Sequence, residues 1–203
     1  MLGPETLTGE ECDLLLGHLS SAQAAGRGAK TRLRNWGMVM VMLEAGLRVA
    51  ELAGLRLGDV VFRGAPVRML VVRKEIAKRG VERQIPVSVR LAGALGRLIR
   101  ELWCNRLEEP GSSCWTVGAR GGHLTTRQIE HIVRAAGLAA LGRPVHPHVL
   151  RHTFGTRIER VAGIRVAQEL LGHADIRTTQ IYCHPNGEDL RHAVNGEPRE
   201  RGG

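Results

Sequence analysis

The chain has 203 residues, 43% of them apolar, enough for one well-cored domain and short for two full ones. Lys and Arg number 29 against 20 Asp and Glu, for a net charge of +9 and a pI near 10.6, the electrostatic footprint of a protein whose partner is made of phosphates. Only 3% of the residues are aromatic, which argues against a single-strand binder that stacks bases on Phe, Tyr and Trp and favours contact with a duplex backbone.

The first predicted element starts at Leu7-Thr8-Gly9-Glu10-Glu11, where Thr8 caps and Glu11 completes a capping box ahead of Leu14, Leu15 and Leu16. Ala22 to Lys30 reads as a loop. Trp36 to Ala45 is apolar on nearly every side and predicts a buried helix, which Gly46 ends in the left-handed conformation. Arg48 then sits just past a helix end. A short helix follows, with Val49, Leu52 and Ala53 on one face, until Gly58-Asp59 breaks it. Met38, Met40 and Met42 lie in the apolar helix and are core filler rather than thioether ligands.

Pro66 to Arg73 and Gln84 to Val87 are rich in Val, Ile and Met and flank a polar stretch containing Gly80, the pattern of a β-hairpin with a long tip. Lys74, Lys78 and Arg79 lie in or beside that tip. Ser88 caps a helix whose Leu91, Leu95, Leu98, Ile99 and Leu102 fall at helical spacing. Glu108 to Gly122 is a Gly- and Ser-rich loop, and Thr125 with Gln128 forms a second capping box before Ile129, Ile132, Val133 and Ala136. Leu150 to Leu171 and Asp175 to Tyr182 complete the helical set, and residues 196–203 read as a disordered tail. The expected fold is mainly α with a small antiparallel β-sheet (α+β), in one domain over residues 1–195.

The four cysteines, Cys12, Cys104, Cys114 and Cys183, include no Cys-x-x-Cys pair and no histidine spacing suited to a zinc site. A reduced, cytoplasmic setting follows. No apolar run approaches membrane-spanning length, and no membrane partner is expected.

Three segments carry chemistry. One reads Glu44-Ala45-Gly46-Leu47-Arg48-Val49-Ala50-Glu51-Leu52, the next Pro147-His148-Val149-Leu150-Arg151-His152, and the last Leu171-Gly172-His173 followed nine residues on by Tyr182, the chain's one tyrosine. His148 and Arg151 share a helical face, and Pro147 suits the first helical position, so both sit near a helix N-terminus that favours an anion. Arg151 is expected to face a ligand rather than the core. His18, His123, His131 and His192 read as surface residues, and His152 as a packing or hydrogen-bonding residue.

Together these segments resemble the tyrosine recombinases, also called the phage-integrase family. The resemblance implies a catalytic domain in which Arg48 and Arg151 grip the phosphate as planar, permanently charged forks. It makes His148 a donor to a phosphate oxygen or an aid to proton movement, and His173 a supporting donor. Tyr182 is the implied nucleophile, made reactive by the surrounding cations. The general acid is Lys78, eight residues before Pro86 in the family's hairpin word, with Lys74 as the substitute; Arg79 departs from the glycine often found after that lysine.

The implied activity is site-specific DNA strand cleavage and rejoining through a 3′-phosphotyrosyl link, which conserves bond energy and implies neither ATP nor metal. Two rivals remain: a type IB topoisomerase-like enzyme, against which His148 argues, and a catalytically silent DNA-binding module of the same fold. Implied partners are double-stranded DNA and further copies of the chain in a tetramer, with Asn186 to Val194 packing on a neighbour. The match runs from Leu7 to Val194, with no separate N-terminal DNA-binding domain expected, so the enzyme is either minimal or works with an accessory protein.

Overall fold

In the computed structural model, which describes residues 6–20, 27–78, 80–117, 122–172 and 187–196, the most apolar stretch of the chain becomes the central helix. Helix α2 (Arg27–Ala45) buries Met38, Val39, Val41, Met42 and Ala45 completely, because α1 (Gly9–Ser20), α5 (Val89–Leu98) and α7 (Pro147–Ala162) cover it on different sides. A helix surrounded in this way has no polar face to signal its period. Its first turn occupies residues expected to be loop, since adding residues to an established helix gains one hydrogen bond per residue ordered.

Gly46 ends α2 at φ +59, and a Cβ there would also collide with the Phe154 ring. Both the left-handed backbone and the close approach therefore require glycine. Helix α3 (Val49–Ala53) follows at once and stops at Gly54 rather than at the expected Gly58-Asp59. That pair instead lies inside a second short helix, α4 (Leu57–Val60), where Asp59 accepts from the Arg56 N–H at 2.8 Å and from Arg73 Nε at 2.8 Å. Arg73 is a partner from beyond the local pattern, and it converts a breaker into a cap.

Strands β1 (Val61–Phe62) and β2 (Ala65–Pro66) make a small hairpin around Arg63 and Gly64, both at positive φ. The longer hairpin appears as expected: β3 (Met69–Val72) pairs antiparallel with β4 (Arg83–Pro86), placing the fully buried Leu70 opposite the fully buried Ile85. Ser88 caps α5, its Oγ accepting from the Leu91 N–H at 3.1 Å, and α5 widens into a π turn at Ile99–Trp103. The segment read as loop contains β5 (Thr116–Val117), paired with β6 (Gly122–His123).

Helix α6 (Thr126–Leu141) begins at the Thr125–Gln128 box, with Thr125 N–H to Gln128 Oε1 at 2.9 Å. The first box is equally well formed, with Thr8 N–H to Glu11 Oε2 at 2.9 Å and Glu11 N–H to Thr8 Oγ1 at 3.1 Å. Gly163, at φ +87, divides the expected long helix into α7 and α8 (Ile164–Leu171). Helix α9 (Gly187–Asn195) packs on its own chain against β4, α7 and α8, and Asn195 Oδ1 accepts from the Val89 N–H at 2.9 Å. The architecture is mainly helical with small antiparallel hairpins, in agreement with the fold class expected. Among the described residues no helix is long and apolar enough to cross a membrane.

Candidate active site

The sharp end of α2 at Gly46 places Arg48 at the position that opens α3. Glu51, one turn into α3, reaches back to accept the Arg48 N–H at 2.9 Å and Arg48 NH1 at 2.8 Å. Across the fold, β4 delivers Arg83, whose two terminal nitrogens meet the same carboxylate at 2.9 and 2.7 Å. Such a two-pronged grip is the strongest form of this pairing. Burial pushes the Glu51 carboxyl upward, but the Arg83 hydrogen bonds and charge, then the Arg48 N–H and side chain, outweigh it and hold the group down at about 2. Glu51 is therefore a fixed negative charge at any physiological pH.

Helix α7 begins with Pro147, behind His146, in the first-turn position that tolerates its missing N–H. His148 follows, exposed, and one turn on comes Arg151. Arg151, expected to face a ligand rather than the core, is only 4% exposed and is held from within the packed interior. Its guanidinium donates to Gly46 O and, at 2.6 Å, to Leu171 O, so it joins the ends of α2 and α8 while still lining the cleft. Burial first, and then the neighbouring Arg48 charge, bring its pKa down to about 10, which leaves it protonated at neutral pH.

His148 and His152 meet edge to face with Nε2 to Nε2 at 2.7 Å, so one ring donates and the other accepts. Burial, then His148 and Arg151, lower the His152 pKa and favour its neutral form. The reading of His152 as a hydrogen-bonding residue holds.

These elements enclose a cleft of ≈ 450 Å³ lined by Leu47, Arg48, Val49, Lys78, Glu130, His146, Pro147, His148 and Arg151. Four of the six residues singled out in the sequence, Arg48, Lys78, His148 and Arg151, thus share one opening. Lys78 lines it from the hairpin tip; Lys74 is not among the lining residues. His173 and Tyr182 lie outside the described residues. Two guanidinium groups, an ammonium and an imidazole line this opening, His148 and Arg151 from the first turns of a 16-residue helix, a combination chemically suited to a phosphate-sized anion. Among the described residues no group of three or more His, Cys, Asp or Glu is arranged to hold a metal ion.

Sequence reasoning missed Glu51, Arg83, Glu130 and His146. A local signal existed for Glu51, which follows Arg48 at the three-residue spacing of a capping carboxylate. Arg83 had none, because its partner lies 32 residues away in the chain.

Comparison with known proteins points the same way. Residues 5–189 match the Phage integrase family. Over 160 residues, 78% of this chain, it is 38% identical to the tyrosine recombinase XerC of Actinobacillus pleuropneumoniae serotype 7 (strain AP76), of which it covers 49%. Over 190 residues, 92% of this chain, it is 35% identical to the tyrosine recombinase XerD of Lacticaseibacillus casei, covering 60% of that protein. The chain thus spans half to three-fifths of the length of these relatives. Among solved structures, the XerA recombinase superposes with a TM-score of 0.67 at 31% identity, over 92% of this chain and 63% of that one. The XerH site-specific recombinase bound to its difH substrate has the same fold, with a TM-score of 0.65 at 24% identity over 89% of this chain and 50% of that one.

Proposed function

This chain belongs to the phage integrase family, and on that premise we propose that it is a site-specific DNA strand transferase acting through a covalent 3′-phosphotyrosyl intermediate. The observation that carries the proposal is the convergence of Arg48, Lys78, His148 and Arg151 on one cleft. A phosphodiester under attack gathers negative charge on its non-bridging oxygens, and cations already in place stabilise that charge without reorganising. Arg48 and Arg151 hold those oxygens.

Tyr182 Oη attacks phosphorus and the P–O5′ bond breaks. His148 takes the phenol proton and, so protonated, donates to a phosphate oxygen, and Lys78 gives a proton to the departing 5′ oxygen. His173 adds a hydrogen bond to the phosphate. In the second step a 5′ hydroxyl from another duplex gives its proton to Lys78 and attacks the phosphotyrosyl link, the P–O(Tyr) bond breaks, and the tyrosine recovers its proton from His148. The number of phosphoester bonds is unchanged, so no external energy source enters.

The substrate in this reading is duplex DNA within the cytoplasm. Strand exchange between duplexes needs several copies of the chain, and a homotetramer on paired sites, with or without an accessory protein, is the assembly proposed. In the isolated chain α9 docks on its own β4, α7 and α8. Exchange of that helix between copies would therefore require it to leave this seat.

A duplex carrying a nick beside the scissile phosphate traps the intermediate, because the short 5′ fragment diffuses away. The wild-type chain is expected to form a covalent adduct and Tyr182→Phe none. No wild-type adduct on any fragment of a genomic library would overturn the reading, and resealing without four-way junctions would reassign the enzyme to topoisomerase-like chemistry.

A further inference from the structure

Arg83 is 10% exposed at its side chain and is not among the residues lining the cleft, so it is not positioned to meet a bound phosphate. Its donors point inward. NH1 and NH2 take the two oxygens of Glu51, and Nε donates to Leu170 O at 3.1 Å. The side-chain stem lies against Gly172, where a Cβ would come within 2.9 Å of Arg83 Cδ and the backbone is at φ +64. One guanidinium therefore ties the hairpin strand β4 to the start of α3 and to the last turn of α8. The neighbouring carbonyl, Leu171 O, holds Arg151.

The charge balance of this cluster is as informative as its geometry. Glu51 contacts Arg48 at 2.8 Å and stands 4.0 Å from Arg151. Charges this close, shielded from water, act on each other strongly. If the carboxylate faced only those two arginines, it would cancel half of the positive charge that Arg48 and Arg151 together offer to an anion. Arg83, paired through both terminal nitrogens, supplies the missing countercharge.

We propose that Arg83 is a positioning residue whose role is to neutralise Glu51, so that the full charges of Arg48 and Arg151 remain available to a phosphate in the cleft. The inference rests on the reading of the cleft as a phosphodiester site. Glu51 then orients Arg48 without weakening it. The double arginine grip on Glu51 is a means of fixing one cation in place at no electrostatic cost to the site.

Equilibrium binding of the full chain to a labelled duplex, at one fixed salt concentration, separates charge from architecture. Arg83→Gln is expected to weaken binding by roughly tenfold although the residue does not line the cleft. Adding Glu51→Gln removes the unbalanced carboxylate and should restore most of the loss, whereas a purely structural clasp predicts that the double variant is no better than the single one. Arg83→Lys keeps the charge and loses the fork; it is expected to bind within about threefold of wild type, and this arm decides the matter if Arg83→Gln does not fold. Equal binding by wild type and Arg83→Gln, no recovery in the double variant, or a tenfold loss in Arg83→Lys overturns the inference. If the wild-type chain itself binds no duplex, the reading of the cleft falls, and the inference with it.

Discussion

Two carboxylates, Glu44 at the end of α2 and Glu51 in α3, are both almost wholly buried and both gripped by arginine, yet they serve different ends. Glu44 accepts from Arg157 at 2.9 and 3.2 Å and from the Ser88 hydroxyl at 3.0 Å, with Arg90 at 3.8 Å. Its partners knit α2 to α5 and α7, and Arg157 lies 5.8 Å above the Phe154 ring. Around Glu51, by contrast, Arg48 and Arg151 open onto a cleft shared with Lys78 and His148. A buried arginine–carboxylate pair does not by itself mark a site. What marks one is the company its cations keep on a common opening.

The largest expected effect, and the surest way to break the contrast, comes from Arg151→Ala. Loss of a preorganised cation should lower adduct formation by about a hundredfold or more. Because Arg151 also donates to Gly46 O and Leu171 O, the variant should lose ~1–3 kcal/mol of stability as well, measured by urea denaturation. Full stability with full activity would remove Arg151 from both roles.

Next come the carboxylates themselves. Glu51→Ala leaves the 10%-exposed Arg83 side chain without its partner and should cost about 3–5 kcal/mol. Glu44→Ala should cost less, ~1–3 kcal/mol, since Arg157 is 36% exposed at its side chain and water can replace the lost contact. Adduct formation per folded molecule should be unchanged in Glu44→Ala. A large catalytic defect there would mean that the two clusters are coupled.

The pH dependence sharpens the same point. The folded-state pKa of Glu51 is depressed to about 2 from an ordinary 4.5, so its stabilisation is fully present above the unfolded value and is lost as pH falls through the window between them. The wild-type chain should lose on the order of 3 kcal/mol across that interval from this group, and Glu51→Gln should lack that component in parallel acid titrations. Smallest of all, Ser88→Ala removes a cap and one Glu44 bond and should cost about 1 kcal/mol, with duplex binding unaltered.

Much of the fold was legible because its signals are local. The boxes at Thr8–Glu11 and Thr125–Gln128, the Ser88 cap and the stop at Gly46 each depend on residues within a turn of one another, and all four appear as read. The start of α2, the α4 turn at Gly58-Asp59 and the break at Gly163 were misread. In α4 the deciding contact was Asp59 with Arg73, 14 residues on. In the site, the motif words name Arg48, Lys78, His148 and Arg151, and the fold places these four on one cleft. The words say nothing of Arg83, or of the carbonyls that hold Arg151.

By itself, then, the sequence determined the family, the helical framework and the identity of the cleft's cations, because residue type and short spacing suffice to specify caps, periodicity and motifs. Tertiary structure alone decided which charges face the opening and which are neutralised beneath it. Glu51 meets Arg83 across 32 residues, and Arg151 meets Gly46 across 105. Partners that distant are brought together only when the apolar faces of α2, α3, α7 and α8 pack, and the packing of a core is not written in the spacing of any one element.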